Sequence, residues 1–347
     1  MKRPNFPFLI SVFSFFIFLF LFSGCNTDLP QTTFDAKGPV AQSQLDLFNI
    51  IFWAVVVVFV IVQGMLLVTI MKYRAKKGAP RPKQIHGHSV LEITWTIAPA
   101  IILVIIAVPM LVVLFMTARA PGPDALTIEV KAHQWWWQFE YPELGVSTSN
   151  EMHIPVGRDI DIVLISEDVI HSFWIPKLAG KLDIVPTRTN RMWIRADEPG
   201  LYYGQCAEFC GIAHALMKFH VVAEQPENFA KWVEHEKSDA SSPSSESAQT
   251  GSQLFLSKGC IACHKIQGNP AAVGIIGPNL THIANRQFLA GGIIENTENN
   301  LTKWLKEPDV VKPGNKMATI APVYNNPDMQ MTDANIKDLV AYLNSLK

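Results

Sequence analysis

Twelve residues, Cys206-Ala207-Glu208-Phe209-Cys210-Gly211-Ile212-Ala213-His214-Ala215-Leu216-Met217, hold two thiols, an imidazole, a thioether and a carboxylate. Thiolate and thioether are soft ligands, and with imidazole they suit copper. Cys206 and Cys210 are four residues apart, His214 is four further on and Met217 three beyond that, so one compact loop can turn all four side chains toward one point. A single blue-copper site uses one Cys; two in so short a loop could bridge two copper ions. A strained disulfide or a zinc site of two Cys and two His would use the same residues, although the thioether of Met217 argues against zinc. A second imidazole must come from elsewhere. His171, within Ser166-Glu167-Asp168-Val169-Ile170-His171-Ser172-Phe173-Trp174, is the candidate if its loop lies beside the 206–217 loop. Farther along, Cys260-Ile261-Ala262-Cys263-His264 has the C-x-x-C-H spacing that attaches a c-type haem. The two thiols bind the haem vinyl carbons and His264 is the proximal iron ligand; a redox dithiol or a zinc knuckle is the competing use. Met317, Met329 and Met331 compete for the sixth iron position.

The elements that carry these residues follow from composition and patterning. A chain of 347 residues has room for two or three domains. A net charge of −1 gives no sign of a nucleic-acid partner, and 49% hydrophobic against 17% charged residues points to membrane segments. Five cysteines, an odd number, exclude a complete disulfide framework.

Residues 1–24 begin with Lys2 and Arg3, continue as an apolar run and end at Ser23-Gly24 before Cys25, the pattern of a lipoprotein-type signal peptide with Cys25 as the acylated residue. Phe22 stands where Leu is usual, and an uncleaved anchor helix is the alternative. Residues 25–46 read as an extended polar segment. The uncharged run 47–71 spans a bilayer, and 93–116 returns. Between them 72–92 carries Lys72, Arg74, Lys76, Lys77, Arg81 and Lys83, so this loop is expected on the cytoplasmic side, with both chain ends outside. Glu92 stands at the inner edge of the second helix, as a solvated end group or as a proton entry point.

From 124 to 235 the pattern alternates with period two, as in Thr127 to Ala132 and Ile160 to Leu164, which predicts the short strands of a β-sandwich. Trp135, Trp136 and Trp137 are adjacent and cannot all face one core; the plain expectation is that Trp136 packs inward while its neighbours cover an edge or a membrane interface. Residues 236–249 are Ser-rich and nearly free of apolar groups, which reads as a flexible linker. Residues 250–347 form the haem-bearing unit, with a helix near 249–258 expected to cross the last helix, 333–346, through Phe255 and Tyr342.

The loop pattern Cys-x-Glu-x-Cys-x-x-x-His-x-x-Met resembles the binuclear copper (CuA) loop of cytochrome c oxidase subunit II, with every position met, and residues 40–235 resemble that family. Residues 250–347 resemble a class I cytochrome c, with Gly277-Pro278-Asn279-Leu280 like the loop that backs the haem His and Lys312-Pro313-Gly314-Asn315-Lys316-Met317 like its Met loop. Together they resemble the fused subunit II of a bacterial caa-type haem–copper oxidase. The resemblance implies a two-helix transmembrane hairpin, a Greek-key cupredoxin and an all-α class I cytochrome c. It implies His171, Cys206, Cys210, His214 and Met217 as CuA ligands, with Glu208 binding through its carbonyl and its carboxylate on a Mg²⁺ shared with subunit I. It implies His264 and Met317 as axial iron ligands, Cys260 and Cys263 as the haem attachments, Trp135 as the point of electron entry and Glu92 as the start of a proton-uptake channel. Asp183 resembles a second acid facing the subunit boundary. Expected partners are subunits I and III, cytochrome c or another donor, and the bacterial cell membrane, with the copper and haem domains on its outer face. The expected activity is electron transfer to the oxygen-reducing centre of subunit I, coupled to proton translocation. A membrane-anchored electron-transfer module serving another terminal reductase is the alternative.

Overall fold

Two uncharged runs fold as long helices in the computed structural model, which describes residues 13, 14, 17, 29–74, 78, 84 and 86–347. Cys25 and most of the expected signal peptide lie outside the described residues, as does part of the basic loop. Helix α1 spans Pro39–Lys72 and α2 spans Ser89–Ala118, both long and apolar enough to cross a membrane. At 1.5 Å per residue, the 34 residues of α1 reach about 51 Å, well beyond a ~30 Å bilayer core. The extra length is at its N-terminal end, where the extended segment expected over 25–46 is already helical from Pro39. Proline at the first helical position has φ preset for a helix and lacks only an N–H that would be unpaired there anyway. Val40 and Ala41 are buried, and the Ala41 N–H donates to Leu178 O at 3.2 Å, so this end is packed into the sheet domain that follows. Helix α2 starts behind an N-cap, His88, and runs through Pro99 and Pro109.

The period-two stretches form two five-stranded sheets. Strands β1 (Leu126–His133), β2 (Trp136–Tyr141), β3 (Val146–Ser149), β5 (Ile160–Ser166) and β8 (Asn190–Ile194) make one, in the order β3-β2-β1-β5-β8. Strands β4 (Glu151–Pro155), β6 (His171–Trp174), β7 (Leu182–Ile184), β9 (Gly200–Cys206) and β10 (Lys218–Glu224) make the other, in the order β4-β10-β9-β6-β7. β1 with β5 and β4 with β10 pair in parallel; the other neighbours are antiparallel. Ile128, Ile162, Phe139, Phe173 and Phe219 fill the space between the sheets, each with no exposed area. Burial of each such side chain stabilises by about 1.5–3 kcal/mol. A Cβ at Gly204 would sit 2.2 Å from Phe219 Cζ, so the ring fills the space a side chain would need. Of the three tryptophans the inward one is Trp137, not Trp136. β2 begins at Trp136 and alternates, so Trp137, Phe139 and Tyr141 are its buried residues.

After α3 (Pro226–Glu236), the chain crosses to the helical domain. Helix α4 (Glu246–Ser257) begins inside the segment read as a linker, capped by Ser245. The stretch between α3 and α4 is held: the Ala240 N–H donates to Gln267 O at 3.1 Å and Ser241 Oγ to Lys347 O at 3.0 Å. Serine composition suggested a free tether, but hydroxyls and amides that meet acceptors order a polar strap as well as solvate it. Short helices α5 (Glu298–Lys306), α6 (Pro308–Val311), α7 (Lys316–Ile320) and α8 (Pro322–Asn325) precede the last helix, α9 (Asp333–Leu343). α4 and α9 pack so closely that a Cβ at Gly251 would lie 2.0 Å from Asp338 O. The Phe255 and Tyr342 rings meet edge-on, 5.7 Å between centroids. The helical domain rests against the sheets: Phe288 stacks on His220 at 3.7 Å and the Gln287 N–H donates to the Glu151 carboxylate at 3.0 Å.

Candidate metal centres

The ladder between β6 and β9 sets Phe173 opposite Cys206 and thereby brings His171 to the start of the 206–217 loop. The loop closes on itself. The Cys206 N–H donates to Met217 O at 3.0 Å, Ala207 N–H to Ser172 O at 3.0 Å, and Met217 N–H to His214 O at 3.1 Å. Gly211, at φ 118°, makes the turn in the middle; a Cβ there would strike the Trp135 ring at 2.9 Å.

The result is a compact cluster of soft donors. The Cys206 and Cys210 sulfurs are 3.8 Å apart. His171 Nδ1 lies 3.9 Å from Cys206 Sγ, His214 Nδ1 lies 3.7 Å from Cys210 Sγ, and Met217 Sδ lies 3.8 Å from Cys210 Sγ. Glu208 O lies 3.3 Å from Cys206 Sγ, while the Glu208 side chain is exposed. The separation of the two sulfurs is far too long for a disulfide. Their hydrogen bond holds the Cys206 thiol far below an ordinary thiol, and His171 adds to this, against burial. The same pairing, with burial, pushes Cys210 up. One proton shared between two sulfurs is a position that a cation would take over.

Asp168, which nothing in the local sequence marks, orients the His171 ring. Asp168 Oδ1 is 2.8 Å from His171 Nε2, and its Oδ2 accepts from the Gln134 N–H at 2.7 Å. A proton on Nε2 leaves the Nδ1 lone pair facing the sulfurs, the arrangement typical of a metal-bound histidine. Burial works to raise the Asp168 pKa, but the bonds from His171 and from the Gln134 and Val169 amides outweigh it and keep the carboxyl well below the usual range.

The second centre is a deep apolar cleft in the helical domain, lined by Cys260, Cys263, His264, Met317 and Met331. Met329 is not in this lining; its carbonyl accepts from Lys258 Nζ at 3.0 Å. His264 Nδ1 donates to Pro278 O at 2.8 Å, which leaves Nε2 free for the cleft. A Cβ at Gly277 would fall 2.7 Å from the His264 ring, so this glycine forms the back of the imidazole. Two thiols, an oriented imidazole and a thioether around an apolar cleft fit a covalently held haem.

The two centres meet at the turn between β1 and β2. Trp135 Nε1 and Gln134 Nε2 both donate to Cys210 O, at 3.0 and 2.8 Å. Gln134, Trp135 and Trp136 also close one side of the haem cleft. Lys316, next to Met317, lies 3.5 Å from Asp168 Oδ2. Sequence reasoning missed this junction, because nothing local marks Lys312, Lys316 or Asp168 as sharing one place. Glu92 is far from both centres, at the other end of α2, where its Oε1 accepts from the His88 N–H at 3.2 Å as a helix cap. Asp183 is exposed on β7.

Three family models match: cytochrome c oxidase subunit II, transmembrane domain, over residues 28–113; cytochrome c oxidase subunit II, periplasmic domain, over 144–224; and cytochrome c over 248–347. A cytochrome c oxidase subunit 2 of Alkalihalophilus pseudofirmus is 40% identical over 338 residues, which cover 96% of this chain and 95% of that one. The protein of that name from Bacillus subtilis is 35% identical over 345 residues, 94% of each chain. Among solved structures, the periplasmic domain of subunit II of cytochrome oxidase of Bradyrhizobium japonicum is 33% identical, covers 34% of this chain and 97% of that chain, and superposes with a TM-score of 0.33.

Proposed function

The chain belongs to the cytochrome c oxidase subunit II family, and from that premise we propose that it relays electrons from a cytochrome c donor, through its own haem c and a CuA centre, to subunit I of an oxidase. The carrying observation is the cluster of two thiols, two imidazoles and a thioether, with neighbouring sulfurs and nitrogens 3.7–3.9 Å apart, joined to the haem cleft by Trp135. A copper pair and a low-spin haem each supply one-electron chemistry.

Cys206 and Cys210 would hold the copper pair through their sulfurs, His171 and His214 through their imidazole nitrogens, and Met217 and the Glu208 carbonyl would complete the donor set. Asp168 orients His171. Cys260 and Cys263 would fasten the haem, and His264 and Met317 would bind its iron; Met331 is the alternative that lines the same cleft. Trp135 lies between the two centres as the entry point for electrons. The exposed carboxylate of Glu208 suits Mg²⁺, a hard cation, at the boundary with subunit I, with Asp183 as a second acid there. Glu92, at the opposite end of α2, is the start of proton uptake. α1 and α2 anchor the chain in the bacterial cell membrane beside subunits I and III, with Cys25 lipidated and both redox domains on the outer face.

In the assembled oxidase, rapid photoreduction of haem c should be followed by its reoxidation together with reduction of the copper centre. Copper that is reduced without passage through haem c would refute the order.

A further inference from the structure

Lys312 is the least expected side chain in the molecule. It is only 3% exposed, and its Nζ donates to Trp135 O at 2.5 Å and to Ala290 O at 3.0 Å. An ammonium has three N–H groups, so one remains. Among the described residues, no carboxylate lies within ion-pair distance of Lys312. The other lysines lining the haem cleft are more exposed: Lys316 is paired with Asp168, and Lys258 bonds the carbonyls of Met329 and Gln330. A buried charge without a counter-ion is strongly unfavourable, and a lysine in that position tends to lose its proton. Burial lowers the Lys312 pKa to about 7, against the nearby Cys210 sulfur, which in its anionic form favours the ammonium.

The cofactor that this cleft fits would bring anionic groups to it. Haem carries two vinyl groups and two propionate carboxylates, and Cys260 and Cys263 take up the vinyl groups. A bound haem would therefore bring two carboxylates into a lining that includes the cationic side chains of Lys312 and Arg286. We propose that the Lys312 ammonium is the counter-ion of a haem propionate and ties that carboxylate to the backbone carbonyl of Trp135. It is a positioning residue at the domain junction. It completes a hydrogen-bonded connection from the haem edge through Trp135 to Cys210 O.

The inference rests on haem c filling the cleft, so the test separates the two. Lys312→Met in the full holo chain keeps the length and removes the charge. Haem content and the low-spin spectrum should stay unchanged. An uncompensated propionate favours the oxidised iron, so the reduction equilibrium should move toward the ferric form by about tenfold, or ~59 mV for a one-electron couple. Lys312→Arg should stay within about twofold of the wild type, since it retains the charge. An unchanged midpoint potential in the Met variant with full haem content would overturn the assignment, whereas a wild-type chain without haem absorbance would strike the haem itself. If the Met variant does not retain haem, Lys312→Gln, which also removes the charge but keeps a polar side chain, takes its place, and an unchanged midpoint potential in that variant would overturn the assignment.

Discussion

At the copper cluster the donors are delivered by backbone. The β6–β9 ladder places His171 and its own turn hydrogen bonds close the 206–217 loop, so thiols, imidazoles and thioether converge. At the haem cleft the corresponding groups come from segments of little regular structure. Cys260 opens a three-residue turn, His264 follows it, and Met317 sits on a five-residue helix. Only α4, α5 and α9 reach nine residues or more in this domain. The first site is a framework set by backbone hydrogen bonds; the second is a set of apolar walls around its donors. The general lesson is that hydrogen-bonded sheet edges can pay in advance for the ordering of a metal site, while a small helical domain relies on its prosthetic group for apolar contact area.

That contrast is open to attack. The largest expected effect is on electron flow. Cys206→Ser with Cys210→Ser should cut haem c oxidation in the assembled enzyme by more than about a thousandfold, yet shift the melting of the sheet domain by only ~4–8 °C per kcal/mol lost. Stopped-flow spectroscopy and calorimetry on one preparation read both, and collapse of the sheet domain would break the idea of a framework that stands without metal. Cys260→Ala with Cys263→Ala should do the reverse. The haem domain should lose its cooperative melting transition and be digested at least about a hundredfold faster between residues 250 and 347, with the sheet domain unaltered; a haem-free domain that melts as sharply as before would contradict the second half of the comparison.

Smaller effects sharpen it. Asp168→Asn keeps every donor but weakens the hold on the His171 ring, so copper affinity should fall about 10–100-fold, as measured by competition with a chelator. An unchanged affinity would mean that the ladder alone orients the imidazole. The smallest effect concerns the docking of the two domains. His220 stacks on Phe288, Tyr203 meets it edge-on, and its burial lowers its pKa to about 4 despite the Glu151 carboxylate, which favours the charged form. Its ordinary value is 6.5. When opened, the junction binds a proton below that value that the docked one refuses. The docked state is therefore favoured fully above pH 6.5 and loses stability as pH falls toward 4, by up to about 3 kcal/mol. Proteolysis of the 237–245 strap should accelerate from pH 7 to pH 5 in the wild type and stay flat in His220→Phe.

Much of this protein was legible before any fold was known. Ligand types at fixed spacing are a local property of the chain. So are uncharged runs long enough to span a bilayer and alternation of period two, which is why Cys206 to Met217, Cys260 to His264, both long helices and the sheet domain could be read directly. Partners brought together across the fold could not. Asp168 looks like any turn carboxylate, Lys312 like any solvated lysine and the 237–245 strap like a loose tether, because burial and hydrogen-bond partners are set by residues more than a hundred positions away in two of these three cases. The choice of Trp137 over Trp136 for the core likewise depended on where β2 begins, since one step of register exchanges the two faces of a strand. Chemistry was written in the order of the residues; the closeness of the two redox centres, and the buried cation between them, exist only because the tertiary structure folds one domain onto the other.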